Sequence, residues 1–368
     1  MNEPRDVLER VGGRFAFPDH AFERMLRRRD RKQRNQRVGT IVLALFVAVV
    51  VVGGSIGVLR SMRSKTATQP GGNGRIVFAA PGNCPPVNQL FTMAPDGTDI
   101  KLLVARPNAE YPHWSPDGST VAFDNGSVVC FRDWLGLPGH IYTVNADGSD
   151  LTQVTSGEGV ELTPDWSPDG AHLVITAIEP GQPPGIATVD LATGTIRPLT
   201  ANPYAGHLDK EPAYAPDGSQ IVFVREGSVV DAGHTYDRSA LFVVNVDGTG
   251  LRRLTPWRRA PLGTPAWSPD GSTIVFSVSS DPSGLPEQIF AMGTDGTGLR
   301  QLTLGNEWTS YRPSWSPDGT TIVFTRFPLP MGSGGSRLFT MRADGSQLTQ
   351  LGEPVGTEWT EADWGTHP

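Results

Sequence analysis

Cysteine is nearly absent from this 368-residue chain: Cys84 and Cys130 are the only two. A disulfide-stapled miniprotein is thereby excluded, and a cysteine-cluster zinc site has no ligands to build on. Long apolar runs are equally scarce. Only residues 38–59 form one, so a polytopic membrane protein is excluded. The 43 Gly follow no Gly-X-Y period, which removes a collagen-like fibre. Neither sign of charge dominates, with 31 basic and 38 acidic residues and a net −7. Together with plentiful aromatic residues, that balance rules out bulk disorder. What the chain has in abundance is turn formers: 43 Gly and 32 Pro make up about a fifth of it, a composition suited to an all-β protein.

The charge is unevenly spread. Basic residues crowd into 1–37, so the remainder is more acidic than the net value suggests. An acidic domain repels phosphates, and nucleic acid is not expected as a partner. Val38 to Leu59 carries no charge, and as a helix it would reach roughly 33 Å, enough for a bilayer core. Arg24, Arg27, Arg28, Arg29, Arg31, Lys32, Arg34 and Arg37 precede it, against only Arg60, Arg63 and Lys65 after it. The positive flank marks the cytoplasmic side, which predicts a single-pass protein of the cytoplasmic membrane with its N-terminus inside. The long basic region and the missing A-x-A-like site favour an uncleaved anchor over a signal peptide. Residues 60–73 lack apolar periodicity and read as a flexible linker. The tail 1–37 is too short for a domain and reads as a topology signal. An alternative is a grip on a transcription regulator, as in a transmembrane anti-sigma protein.

Beyond the linker the chain repeats. Trp114-Ser115-Pro116-Asp117-Gly118 recurs at Trp166, Tyr214, Trp267 and Trp315, the aromatic residues 48 to 53 apart, and Trp364 opens a degenerate sixth copy. Periods of this length mark propellers and solenoids. Each repeat reads as four strands: one ending in Trp-Ser, an apolar strand such as Thr273–Phe276 after the Pro-Asp-Gly turn, a third strand running into an Asp-Gly turn, and a fourth ending in Leu-Thr. The repeats begin at a second strand, Gly74–Phe78, and end on a first strand, Glu361–Trp364. The last strand should therefore complete the first blade and close a ring of six, leaving no long open edge. The prediction is an all-β, six-bladed propeller over 74–368, preceded by one transmembrane helix. The recurring W-S-P-D-G and N-x-D-G-x-x-L-x-x-L-T resemble the TolB-type, WD-like β-propeller family. That resemblance implies a protein-binding or scaffolding platform outside the cytoplasm.

The motif residues themselves read as turn and packing machinery, with no catalytic role. Asn145–Asp150 imitates the start of a calcium loop but lacks the acidic residue at its twelfth position. Gly53-Gly54-Ser55-Ile56-Gly57 matches a nucleophile elbow inside the apolar run, where that motif has no meaning. The seven His are scattered, so no metal and no cofactor is expected. Prolyl-oligopeptidase-type enzymes join such propellers to a catalytic domain; with Pro368 four residues after Trp364, none is expected here. Cys84 and Cys130 fall after the second strands of adjacent blades and are expected to pair as a disulfide. Long loops gather on one face of the ring, with Trp134, Trp257, Trp308 and Trp359 outside the repeat motif, together with Tyr311 and Arg258-Arg259. Aromatic and arginine side chains suit a partner surface, though they could equally close the loops over the blade cores. Asp165, Glu211, Glu361 and Asp363 are expected near the channel mouth. The function these features favour is non-enzymatic binding of a protein or envelope ligand on the long-loop face; signalling through the tail and a hydrolase at the channel mouth are the alternatives.

Overall fold

The computed structural model describes residues 72–81, 88–105, 108–126, 139–200, 207–231, 234–280, 286–330, 334–352 and 360–366. The tail 1–37, the apolar run 38–59 and nearly all of the linker lie outside these. Among the described residues no helix is long and apolar enough to cross a membrane.

Six four-stranded antiparallel sheets make up the described structure. The expected closure is present. In blade 1 the order is Thr360–Thr366, Asn73–Pro81, Asn88–Met93, Lys101–Val104, with Ile76 directly opposite Trp364. Blades 2 to 6 begin at the axis with Glu110–Trp114, Val160–Trp166, His207–Tyr214, Leu262–Trp267 and Trp308–Trp315.

The second strand of each blade lies between its sheet neighbours and under adjacent blades, which demands apolar residues on both faces. Phe78, Phe123, Phe223, Phe276 and Phe324 stand there at equivalent places, all essentially inaccessible, with Ile175 in blade 3. The outer strands are the opposite: Thr152–Gln153, Arg252–Arg253, Arg300–Gln301 and Thr349–Gln350 are two residues long and mostly exposed. Short, polar edges discourage pairing with another chain.

The repeat motif acts as local machinery. Asp117 Oδ1 accepts from Ser115 Oγ at 2.6 Å and from the Ser119 amide at 3.0 Å, while Ser115 Oγ accepts from the Thr120 amide at 3.0 Å. Asp270 and Asp318 repeat this pattern, and Gly118 takes the φ of 71° that the turn requires. Each Leu-Thr ending turns its hydroxyl back to the third strand, where Thr200, Thr255 and Thr303 Oγ1 accept the amides of Ile186, Leu241 and Ile289 at 2.9 to 3.0 Å, and Thr155 after Val154 does the same to Ile141. The tryptophans stitch neighbouring blades: the indoles of Trp166, Trp267 and Trp315 donate to the carbonyls of His113, Ala213 and Ala266 in the blade before.

The closing seam departs from this rule. The indole N–H groups of Trp364 and Trp114, on either side of it, have no partner. Gly365 replaces the usual serine because a Cβ there would lie 2.6 Å from the Trp114 ring. The degenerate last copy of the motif is thus a packing requirement of the seam.

Candidate functional site

Every inner strand carries the same kink three residues before its aromatic. Tyr111, Thr163, Glu211, Thr264, Arg312 and Glu361 all have φ between 41° and 57°, and each sits in a register shift against the second strand. Five of the six precede proline, which disfavours the α region at that place. Such strain costs on the order of 1–3 kcal/mol per residue and persists only where surroundings enforce it. Here the enforcing groups come from the preceding blade. Tyr111 N donates to Glu361 Oε2 at 2.6 Å, Thr163 N to Asp124 Oδ2 at 2.8 Å, Glu211 N to Thr176 Oγ1 at 3.0 Å and Thr264 N to Glu211 Oε2 at 2.7 Å.

This ring is one end of an axial cavity of about 510 Å³. Its other end lies among the prolines of the Pro-Asp-Gly turns, Pro116, Pro168, Pro216, Pro269 and Pro317, so the cavity opens on the short-turn face. The wall between is set by the residue before each aromatic. Going round from blade 1 it reads Asp363, His113, Asp165, Ala213, Ala266, Ser314. Four polar positions run together, and two alanines face them.

The polar arc is held in place by the main chain. Asp363 Oδ2 accepts the Trp114 amide at 2.8 Å and Asp165 Oδ2 the Tyr214 amide at 2.7 Å, each reaching into the following blade. Ser314 Oγ donates to Asp363 Oδ1 at 2.5 Å. His113 Nδ1 lies 3.7 Å from Asp165 and 4.0 Å from Asp363. Burial pushes the Asp165 carboxyl up to about 6; His113 and the Tyr214 amide oppose that rise, and Asp363 adds to it.

Arg312, which is not among the residues lining the cavity, links the kinked positions of blades 6, 1 and 2. Its guanidinium pairs with Glu361, donates to the Tyr111 hydroxyl at 2.6 Å and lies 4.4 Å from the centre of that ring. Burial pushes the Tyr111 phenol upward and does the same to the carboxyl of Glu110. Asp124, wholly buried, is pushed to about 7 by burial and the nearby Glu110, against the pull of the Thr163 and Gly126 amides.

Of the four acids expected at the channel mouth, Asp165, Glu211 and Asp363 line the cavity, and Glu361 is not among its lining residues but pairs with Arg312. His113, Ser314, Arg312 and Tyr111 escaped the sequence reading. Their signal was an offset: laid on the repeat, the first and third positions before each aromatic vary where the motif does not. Among the described residues, no group of three or more His, Cys, Asp and Glu could hold a metal ion.

The long-loop residues have a different setting. Trp257 is half-buried, 5.6 Å from Phe242 and 6.0 Å from His207, with Arg238 4.4 Å above its ring. Trp308 and Tyr311 stand in the inner strand Trp308–Trp315 of blade 6 and not in a loop; Trp308 packs edge-on against Phe339 at 5.8 Å, and Tyr311 against Phe327 at 5.9 Å. Trp308 covers the core between blades 5 and 6, and Trp257 lies against Phe242 at the edge of the blade 4 core. Arg258 and Arg259 are exposed, the former tied to Ser239 by two main-chain hydrogen bonds. Trp134, Trp359, Cys84 and Cys130 lie outside the described residues.

Comparison with known proteins agrees with this geometry. The chain is 36% identical over 118 residues to the Tol-Pal system protein TolB of Anaeromyxobacter dehalogenans, 31% of this chain and 24% of that protein. It is 28% identical over 209 residues to an uncharacterized peptidase, YuxL, of Bacillus subtilis, 49% of this chain and 30% of that one. The chain therefore spans less than a third of either curated relative. The crystal structure of TolB from Acinetobacter baumannii shares the fold, with a TM-score of 0.60 at 22% identity over 79% of this chain and 66% of that one. The profile of the TolB beta propeller domain matches residues 55–232 and 228–359, and with six blades closed by the C-terminal strand, the chain belongs to that family.

Proposed function

We propose that this chain is an envelope binding protein, anchored by a single span at 38–59 with its propeller outside the cytoplasm, that holds a protein or envelope ligand without transforming it. The observation that carries the reading is the two-sided axial cavity: an acidic, hydrogen-bonding arc of Ser314, Asp363, His113 and Asp165 faces Ala213 and Ala266. Such a wall suits a ligand segment with a donor or cationic group on one side and an apolar surface on the other. Open among the turns, the cavity admits a protruding segment from that end. The long-loop rim with Arg258 and Arg259 is the second surface on which a partner would bear.

The peptidase name of one relative keeps hydrolysis in view. The serine in the cavity argues for binding instead, because Ser314 donates to Asp363 and not to the imidazole that would have to activate it. Photo-crosslinking in intact cells tests the proposal, using the full-length chain with the crosslinker at Ala266 or at Arg258. An adduct from Ala266 that disappears when Asp165 and Asp363 are both replaced by asparagine is the expected result. Adducts from Arg258 alone would move the binding function to the loop face. Turnover of peptide or ester substrates that is lost in Ser314→Ala would make the chain an enzyme.

A further inference from the structure

One station in the fold can be compared across blades: the residue five places before each aromatic, with its partner on the second strand. In blade 3, Glu161 contacts His140 Nδ1 at 2.8 Å and Thr155 Oγ1 at 2.9 Å. In blade 5 the pair is apolar, Leu262 opposite Val278. In blade 4, Asp209 opposes Arg225 and takes two hydrogen bonds from it, at 2.6 and 2.7 Å, while the guanidinium lies 4.8 Å from the Phe242 ring centre and 5.5 Å from that of Phe223. A buried arginine held by a planar carboxylate and stacked on aromatic rings is a complete arrangement.

Blade 6 repeats it with one part missing. Arg326 occupies the place of Arg225, and its guanidinium lies 5.1 Å from the ring centres of both Phe339 and Trp308. Opposite it stands Ser310 where blade 4 has Asp209. Arg326 is only 6% exposed, and among the described residues neither its Nε nor the fully buried Ser310 Oγ has a hydrogen-bond partner. On the other flank the cross-strand neighbour is a second cation, Arg337, which donates to Gln350 Oε1 at 3.2 Å; blade 4 has Ala240 there. Like charges directly opposite in a sheet repel, and a buried charge without a counter-charge is costly. Burial draws the Arg326 guanidinium below its ordinary value, and among the described residues no carboxylate offsets it.

We propose that Arg326, Ser310 and Arg337 form a carboxylate-binding site toward the long-loop end of blade 6, in which the ligand's carboxylate takes the place that Asp209 fills in blade 4. Ser310 is smaller than aspartate, and in this proposal the carboxylate takes up a position between its Oγ and the Arg326 Nε. Trp308 and Arg337, both half-buried, adjoin Arg326. The site is separate from the axial cavity and stands whether or not that cavity binds a ligand.

Thermal unfolding of the purified full-length chain tests this, with acetate and a hexaglutamate peptide as probes and chloride at equal ionic strength as reference. The midpoint is expected to rise with a carboxylate. A response to acetate assigns the site to a free small carboxylate, and a response to hexaglutamate alone assigns it to one carried on a protein chain. A response to neither overturns the proposal. Ser310→Asp supplies the missing group internally, and is expected to raise the midpoint without ligand and to abolish the response. A lowered midpoint, or an undiminished response, overturns it. Arg326→Met keeps the volume and removes the charge, and should weaken the apparent affinity about tenfold or more, the scale of a lost charge-assisted hydrogen bond; unchanged affinity would overturn the assignment as well.

Discussion

The turn face and the axis of this propeller are built from the same repeat, yet they behave as different kinds of structure. At the turns four blades do the same thing: Asp117, Asp169, Asp270 and Asp318 hold their Ser-Pro-Asp-Gly loops through nearly identical hydrogen bonds. Along the axis no two blades carry the same pair of residues at the two positions that line it. One position offers Asp, His, Asp, Ala, Ala and Ser in turn, and the kinked position offers Glu, Tyr, Thr, Glu, Thr and Arg. The uniform serine and aspartate bond within their own turn, whereas the variable Glu361, Asp363, Asp165 and Glu211 bond into the next blade. The scaffold therefore resides in what repeats, and the capacity to bind resides in what departs from the repeat.

The strongest way to break this contrast is to open the ring. Deleting 360–366 removes the inner strand of blade 1, the acceptors for the Tyr111 and Trp114 amides, and Trp364 itself. Loss of cooperative thermal unfolding and rapid proteolysis are expected; a folded five-and-a-half-bladed product would show that the seam is dispensable. Next comes the Arg312 ion pair. Arg312→Leu leaves the buried Glu361 without its counter-charge and should cost about 3 kcal/mol in chemical denaturation, the low end for a buried pair because a quarter of the arginine side chain is exposed. Adding Glu361→Gln should recover part of the loss.

The titration of the axis provides a third test. Asp165 and Asp124 have folded values of about 6 and 7, against an ordinary 3.8. Because these values are raised, the folded chain holds protons that the unfolded chain has released. Their contribution is complete below about pH 4 and is lost as pH rises through 6 and 7, on the order of 3 kcal/mol for Asp165 and 4 kcal/mol for Asp124 as upper limits. Denaturation curves at several pH values should show this decline. Asp124→Asn should flatten its upper part and Asp165→Asn its lower part. The smallest effects belong to the turns: Asp117→Ala, Asp270→Ala and Asp318→Ala should each cost about 1 kcal/mol, and should cost nearly the same. Widely different losses would show that the turns are not equivalent and would erode the contrast with the axis.

Much of this was legible beforehand because its causes are local. Pro-Asp-Gly chemistry acts over five residues, strand alternation over four to eight, and the phase of the first and last copies was enough to place Trp364 against Ile76. The acids Asp165, Glu211 and Asp363 could be directed to the axis by their position in the repeat. Arg312 could not, because nothing near it in the chain names its partners: Glu361 is 49 residues away and Tyr111 is 201. The long-loop tryptophans misled in the opposite direction. Trp257 and Trp308 have the composition of a contact surface, but only packing shows that Phe242 and Phe339 already occupy their faces.

The sequence by itself determined the six blades, their turns and the borrowed closing strand, since each depends on interactions among residues close together in the chain or on the phase of a repeat. Only the tertiary structure decided which side chains meet around the axis, and that Arg326 faces a serine where its counterpart faces a carboxylate. Those outcomes depend on ring closure, which brings together residues tens to hundreds of positions apart, and no local pattern carries that information.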